Sequence, residues 1–418
     1  MTLHPILAAL RKHKAGVILI TLQIALTLAI VCNAIFIIGD RVERIGRPTG
    51  MDEHNLFMVT QLWVGAPSGD DPASIDKLDS MQQADVQTLR SLPDVQSAIA
   101  INSLPLINSS WTIGVRMKPD QNDETAHAAL YFGDQQMIPA LGLKLVAGRN
   151  FTPGEIRHMG FRGENKPPIV IVTKALADTL FPDGHAVGKV IYVDQHTPST
   201  IIGVIDRMQV PSVQSWAKHW SWNSVLVPTR MDAPYSRYAV RAKSGRLDAA
   251  MKAARAALFA ANPMRVIGDE PDRNGIKSFA QIRENAYQAD RGMATLMGVI
   301  CLILLCVTGA GIIGLTSFWV GQRHKQIGIR RALGATRDDI LRYFQAENLL
   351  IASGGAIAGI VLAVGLNLWL MQRFEMDRMP VLYVLAGVVV VLALGQIAVF
   401  APARRASNVP PVVATRSV

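Results

Sequence analysis

Two long stretches without a charged side chain, Gly292–Val320 and Asn348–Gln372, constrain this chain before anything else does. They run for 29 and 25 residues, and a helix needs only roughly 20 apolar residues to cross a bilayer. Backbone inside lipid has to satisfy its own hydrogen bonds, so runs of this length read as membrane helices. Gly16–Ile38 and Val381–Phe400 are two further candidates. The first run, at 23 residues, exceeds the about 7–15 of a secretory leader's apolar core. No Ala-x-Ala pattern closes it, so an uncleaved span is expected.

The expected order is therefore an N-terminal segment over 1–15, a span over 16–38, a large insert over 39–291 and a second span within 292–320. A basic loop over 321–347, a third span over 348–370, a short loop over 371–380, a fourth span over 381–400 and a tail over 401–418 complete it. The fold class expected is an α-helical membrane domain of four helices with a large mixed α/β domain inserted between the first and second.

Charge assigns the sides. Arg11, Lys12 and Lys14 precede the first span. Arg323, Lys325, Arg330, Arg331, Arg337 and Arg342 follow the second, and Arg404, Arg405 and Arg416 follow the fourth. These segments carry nearly all of the formal net charge of +10, because the insert holds 28 basic against 27 acidic residues. Basic loops stay in the cytoplasm, so both termini and the basic loop are expected there, with the insert outside the inner (plasma) membrane. The charge is not gathered on a soluble domain, which excludes a nucleic-acid reader. Cys32, Cys301 and Cys306 all fall within the spans and read as small buried apolar residues.

The insert alternates short helices and strands. Helices are expected over Ala84–Leu92, Lys174–Leu180 and Arg246–Phe259, the last with Leu247, Met251, Ala254 and Leu258 on one side. Strands are expected over Val95–Ser103, Trp111–Met117, Pro167–Val172, Lys189–Val193, Thr200–Ile205 and Ala239–Lys243. Pro67–Ser80 and Pro119–Ala126 read as loops. The order suggests one subdomain around residues 130–210 and a second built from the chain on either side. From Phe279 a helix-capable stretch runs into the second span, as a stalk or as a transmitter of motion. Trp216, Trp220 and Trp222 flank His219, either as a partner or substrate contact or as a local core. His219 has no ligand-spaced neighbour, and Asp269, Glu270 and Asp272 lack the spacing of a calcium loop. Gly354, Gly355 and Gly359 lie in an apolar run as packing glycines. No catalytic constellation and no phosphate-binding loop is present in the sequence, so no catalytic, metal or cofactor residue is assigned.

The basic loop has its own architecture. Lys325–Leu333 has helix potential, with its Arg and Lys expected to face away from Ile327, Ile329 and Leu333. Gly334 and Ala335 break it, and Thr336 caps a helix over Asp338–Leu350 with Asp338 and Asp339 in its first turn. Such a pair of helices suits either an anionic lipid surface or a cytoplasmic partner.

KQIGIRRALGATRDDILRYFQAENLL resembles the signature of the MacB/FtsX/LolC–LolE family of ABC-transporter membrane subunits. The matching positions are Ile327, Gly328, Arg330, Arg331, Ala332, Leu333, Gly334, Ala335 and Glu347. The tail resembles the family's closing segment at Pro402, Ala403, Arg404, Arg405, Pro410, Ala414 and Arg416. In the insert, Gly148, Arg149, Ala175, Leu180, Phe181, Gly188 and Gly203 sit in segments similar to the MacB-type periplasmic core domain. The chain departs from the pattern at Gln326, where the family usually has Glu, and at Thr415, where Leu is more usual.

The resemblance implies a non-enzymatic permease paired with a second permease subunit, identical or related. Its ATPase dimer, on separate chains, would bind the ATP. It implies that ATP-driven closure passes through the short cytoplasmic helix, with Arg323, Lys325, Gln326, Ile327, Gly328, Arg330, Arg331 and Gly334 as coupling residues. A periplasmic membrane-fusion adaptor and an outer-membrane channel are further implied partners. The cargo would be a peptide, a drug-like molecule or a lipid-linked substrate. An FtsX-like regulator, moving a periplasmic partner instead of a cargo, is the alternative, and a stand-alone sensor is a third. None of the four runs carries Lys, Arg, Asp or Glu, unlike an ion-driven carrier.

Overall fold

The computed structural model describes residues 14–67, 71–109, 111–164, 166–193, 196–268, 275–374 and 377–408. Arg11, Lys12, the acidic run at Asp269, Glu270 and Asp272, and the tail positions Pro410, Ala414, Thr415 and Arg416 lie outside those residues. The chain divides into two compact units, Arg47–Gln288 and the helical remainder.

Helix α1, Lys14–Gly46, opens the helical unit. The unit Arg47–Gln288 then begins with strand β1, Leu56–Trp63. Helix α2 spans Pro72–Arg90, with Asp71 accepting from the Ser74 N–H and Pro72 in its first turn. This corrects the loop expected over Pro67–Ser80: proline is pre-organised for a helix start, where its missing N–H has no partner to lose. Strands β2 (Val95–Ala100), β3 (Trp111–Val115) and β4 (Ala126–Phe132) follow. Helix α3 (Met137–Leu141), β5 (Leu145–Gly148), β6 (Arg157–Gly160) and β7 (Ile169–Thr173) come next. The chain continues through α4 (Lys174–Leu180), β8 (Val190–Tyr192), β9 (Pro198–Ile205), β10 (Ser224–Val227), β11 (Thr229–Asp232) and β12 (Tyr235–Ala242). Helix α5 (Leu247–Ala261), β13 (Arg265–Val266), β14 (Ile276–Ser278) and α6 (Phe279–Ala286) close the unit.

Two sheets organise these elements. One is antiparallel, in the order β13-β1-β12-β2 with β14 also on β1. The other is mixed, in the order β3-β4-β10-β7-β9-β5 with β8 on β9. The mixed sheet is built from one continuous piece of chain, β3 to β10, and the antiparallel sheet from the chain on either side. Each sheet has its own core. Phe57, Val59, Tyr238 and Val240 pack with Leu89 and Leu258 in the first, and Val170, Val172, Ile201 and Val225 with Leu176 in the second. Strands β6 and β11 form a separate parallel ribbon.

The stalk is interrupted. Helix α6 ends at Ala286, Tyr287 leaves helical geometry (φ −105°, ψ 11°), and α7, Gln288–Gln322, begins after it. Tyr287 is fully buried, and the Arg283 guanidinium lies 5.9 Å from its ring centroid. Tertiary burial of one ring thus outweighs the local helix preference of the stretch.

In the helical unit, α7 is followed by the short α8 (His324–Ala332), then α9 (Arg337–Phe374) and α10 (Val381–Ser407). Helices α1, α7, α9 and α10 are each long and apolar enough to cross a membrane. The helix expected over Asp338–Leu350 is continuous with the third span. Together they make α9, 38 residues long, or about 57 Å. Helix α9 packs on α1 through Gly355 and Gly359: an added Cβ at Gly355 would lie 2.7 Å from Ile24, and one at Gly359 would lie 2.9 Å from the Ala25 carbonyl. Without a hydrophobic drive between helices in lipid, such close approach and buried hydrogen bonds hold the bundle. Thr27 and Thr308 share a hydrogen bond of 2.7 Å, and the Asn33 amide donates to the Ala363 carbonyl at 3.1 Å. Leu302, Val361 and Val389 point outward from the bundle and stay exposed, as a lipid-facing surface requires.

Candidate coupling helix

The basic segment folds as a short helix hinged at both ends. Arg323 (φ −101°, ψ 11°) breaks α7 from α8. At the other end Gly334 takes φ +100°, a left-handed conformation that favours glycine. The Gly334 N–H donates to the Arg331 carbonyl and the Ala335 N–H to the Arg330 carbonyl. Thr336 then caps α9. Its Oγ1 accepts from the Asp339 N–H at 3.2 Å, while the Asp339 carboxylate accepts from the Thr336 N–H at 3.0 Å.

The faces of α8 differ from expectation. Arg323 is buried, and its Nη1 donates to both carboxylate oxygens of Glu347 at 3.0 and 2.9 Å. Arg331 donates to the Ser407 carbonyl at the end of α10. The Arg330 guanidinium sits 4.8 Å from the Tyr343 ring centroid on α9. Ile327 and Gly328 are buried beside them. Ile329 and Leu333 are exposed, Leu333 at 83%. The cause is helical geometry. Residues about 100° apart put Arg323, Ile327, Arg330 and Arg331 on one side and Ile329 and Leu333 on the other. Arg323 and Arg331 therefore anchor α8 to the bundle, while Arg330 stays exposed over Tyr343. Lys325, Gln326, Ile329, Arg330 and Leu333 are exposed.

In the unit Arg47–Gln288, Trp216 and Trp220 meet, with ring centroids 5.2 Å apart, and Trp220 also stacks edge-on against His127 at 4.5 Å. Trp216 is exposed, while Trp220 and Trp222 are half-buried. Trp222 lies apart, beneath Arg207. His219 is exposed and belongs to no metal-capable cluster among the described residues. A cleft of about 630 Å³ lies elsewhere in this unit, lined among others by Met58, Leu106, Arg237, Lys277, Ile282 and Asn285. Its lining carries two cations and no carboxylate among the described residues.

A second polar cluster was not legible in the sequence. Asp79 on α2, His158 on β6 and Asp232 on β11 converge. His158 Nδ1 lies 3.0 Å from Asp232 Oδ2, and the Arg230 guanidinium donates to both oxygens of Asp79 at 2.7 and 3.0 Å. Burial, and then the negative charge of Asp79, push the Asp232 carboxyl up to about 7 against the opposing pull of His158 and Arg230. These residues stand more than seventy positions apart along the chain, so no local motif announces them.

Two family models match this chain. The MacB-like periplasmic core domain covers residues 18–257, and the FtsX-like permease C-terminal model covers residues 298–411. The chain belongs to the MacB/FtsX permease family. The macrolide export ATP-binding/permease protein MacB of Chromobacterium violaceum is 27% identical over 283 residues, which are 65% of this chain and 40% of that protein. MacB 1/2 of Paracoccus denitrificans is 26% identical over 417 residues, 98% of this chain and 57% of that protein. The chain spans about half the length of the curated relatives it matches. The periplasmic region of MacB from Actinobacillus actinomycetemcomitans aligns with 58% of this chain and 97% of its own, at 15% identity and a TM-score of 0.35. The FtsX-like permease C-terminal match contains α8 and both residues at its ends, Arg323 and Gly334.

Proposed function

We propose that this chain is the permease of an ATP-driven export or mechanotransmission complex, in which α8 receives the motion of an ABC-type nucleotide-binding unit. The observation that carries this reading is the two-sided build of α8: Arg323 and Arg331 bind its inner side to α9 and α10, while Lys325, Gln326, Ile329, Arg330 and Leu333 remain exposed. A push on that outer face would reach α9 directly through the Arg323–Glu347 pair. Thr27 pairs with Thr308, and the Asn33 amide with the Ala363 carbonyl, contacts that suit packed levers better than an ion path.

On this reading α8 and both termini face the cytoplasm, following the basic loops, and the outer unit faces the periplasm. A second permease copy or relative completes the assembly, and an adaptor with an outer-membrane channel would extend it across the envelope. The positively lined cleft and the exposed Trp216 are the outer surfaces offered to cargo or adaptor. Reconstitution of this chain in nanodiscs with an ABC ATPase from the same genome tests the proposal. Stable association and altered ATP hydrolysis relative to the ATPase alone are expected; absence of both contradicts it.

A further inference from the structure

We propose that Asp79, His158 and Asp232 form a binding site for a divalent transition-metal ion, with Zn²⁺ as its chemical type. Each residue offers one ligand atom, and these atoms all lie within 4.8 Å of one another. One imidazole with two carboxylates is a donor set that zinc accepts, with water completing the shell. Calcium and magnesium favour all-oxygen sites.

An independent observation points to a ligand. The Asp232 side chain is fully buried, and while Oδ2 faces His158, Oδ1 is buried with no hydrogen-bond partner. A buried carboxylate oxygen left without a donor is costly, and a cation held by the Asp232 carboxylate would offset that cost. The surroundings fit the same purpose. Arg230 grips both oxygens of Asp79, and metal-bound carboxylates are commonly fixed by such outer hydrogen bonds. Asp76 Oδ1 stands 3.8 Å from His158 Nε2. Asp79, Asp232 and Asp76 carboxylates outnumber the one guanidinium at the cluster, so its charge favours a cation. His158 is exposed enough to leave an entry path, and Asp79 is half-buried.

The ligands come from α2 and from the β6–β11 ribbon. A bound ion would pin the ribbon to the helix that covers the antiparallel sheet, and would stiffen that part of the outer unit. This role is separate from coupling through α8 and does not depend on it.

The test uses the full chain in detergent, stripped with a chelator and dialysed against Zn²⁺. Equimolar zinc uptake and a raised unfolding temperature are expected, with weaker binding of Mg²⁺ and Ca²⁺. His158→Ala and Asp232→Asn should each weaken zinc binding by at least the roughly 10–100-fold that loss of an outer partner costs. Zinc-edge X-ray absorption on the wild-type chain needs no variant to fold, and should read a single imidazole with oxygen ligands and no sulfur. No uptake, unchanged binding by both folded variants, preference for Mg²⁺ or Ca²⁺, or a sulfur or multi-imidazole shell each overturns the assignment.

Discussion

Arg323 and Glu347 form a buried ion pair, 2.9 Å at its shorter contact, that joins the hinge between α7 and α8 to the side of α9. Removing one partner of a buried pair leaves the other charge desolvated. Such losses cost about 3–5 kcal/mol, whereas replacing both partners with apolar residues is often milder. Arg323→Ala is therefore expected to lower the unfolding temperature in detergent more than the double change Arg323→Met with Glu347→Leu. Equal destabilisation by the two would contradict this account of the pair.

Packing between α1 and α9 depends on absent side chains. Leucine at Gly359 would meet the Ala25 carbonyl and Leu28, both 2.9 Å from its Cβ. Overpacking of this kind costs about 1–3 kcal/mol. Gly354 has no atom within 4 Å of an added Cβ, so Gly354→Ala should be neutral by the same thermal measurement.

A second buried pair lies under the antiparallel sheet. Arg265 donates to both oxygens of Asp85 at 2.9 and 3.0 Å, and Gln61 and Tyr238 join the network. Asp85→Ala strands the Arg265 guanidinium in a fully buried position. Loss of about 3–5 kcal/mol is expected, read as earlier unfolding and greater protease sensitivity of the outer unit.

Glu155 supplies a pH signature. The Arg149 guanidinium, helped by the Thr152 N–H, lowers its carboxyl to about 2 from an ordinary value of 4.5. A lowered folded-state pKa gives stability that is present above the unfolded value and lost as pH falls through the folded one. The window is therefore about 4.5 down to about 2. The pair is solvent-screened, so its effect is small. Glu155→Gln should unfold slightly earlier than wild type above this window, and the difference should vanish at its lower end.

The parts of the fold that local pattern dictates were legible in the sequence. The four apolar runs, the helix over Lys174–Leu180 and the Gly334 corner rest on composition and turn chemistry within a few residues. What depends on distant partners was not. Arg323 reads in sequence as one more basic residue that assigns sidedness, and only the fold brings Glu347 against it. Ile329 and Leu333 looked like companions of Ile327, but helical phase puts them on the other face. Tyr287 breaks a stretch with no Gly or Pro because its ring is buried. The Asp79–His158–Asp232 cluster required α2, β6 and β11 to be assembled first.

The most direct measurement of the coupling role targets the outer face of α8. Leu333→Asp combined with Lys325→Glu changes exposed positions and leaves Arg323, Arg330 and Arg331 on their partners. Co-purification with the ABC ATPase, alongside the unfolding temperature of the permease alone, reads the result. The account predicts lost ATPase association at an unchanged unfolding temperature. Wild-type association and wild-type ATP hydrolysis in this variant would contradict it.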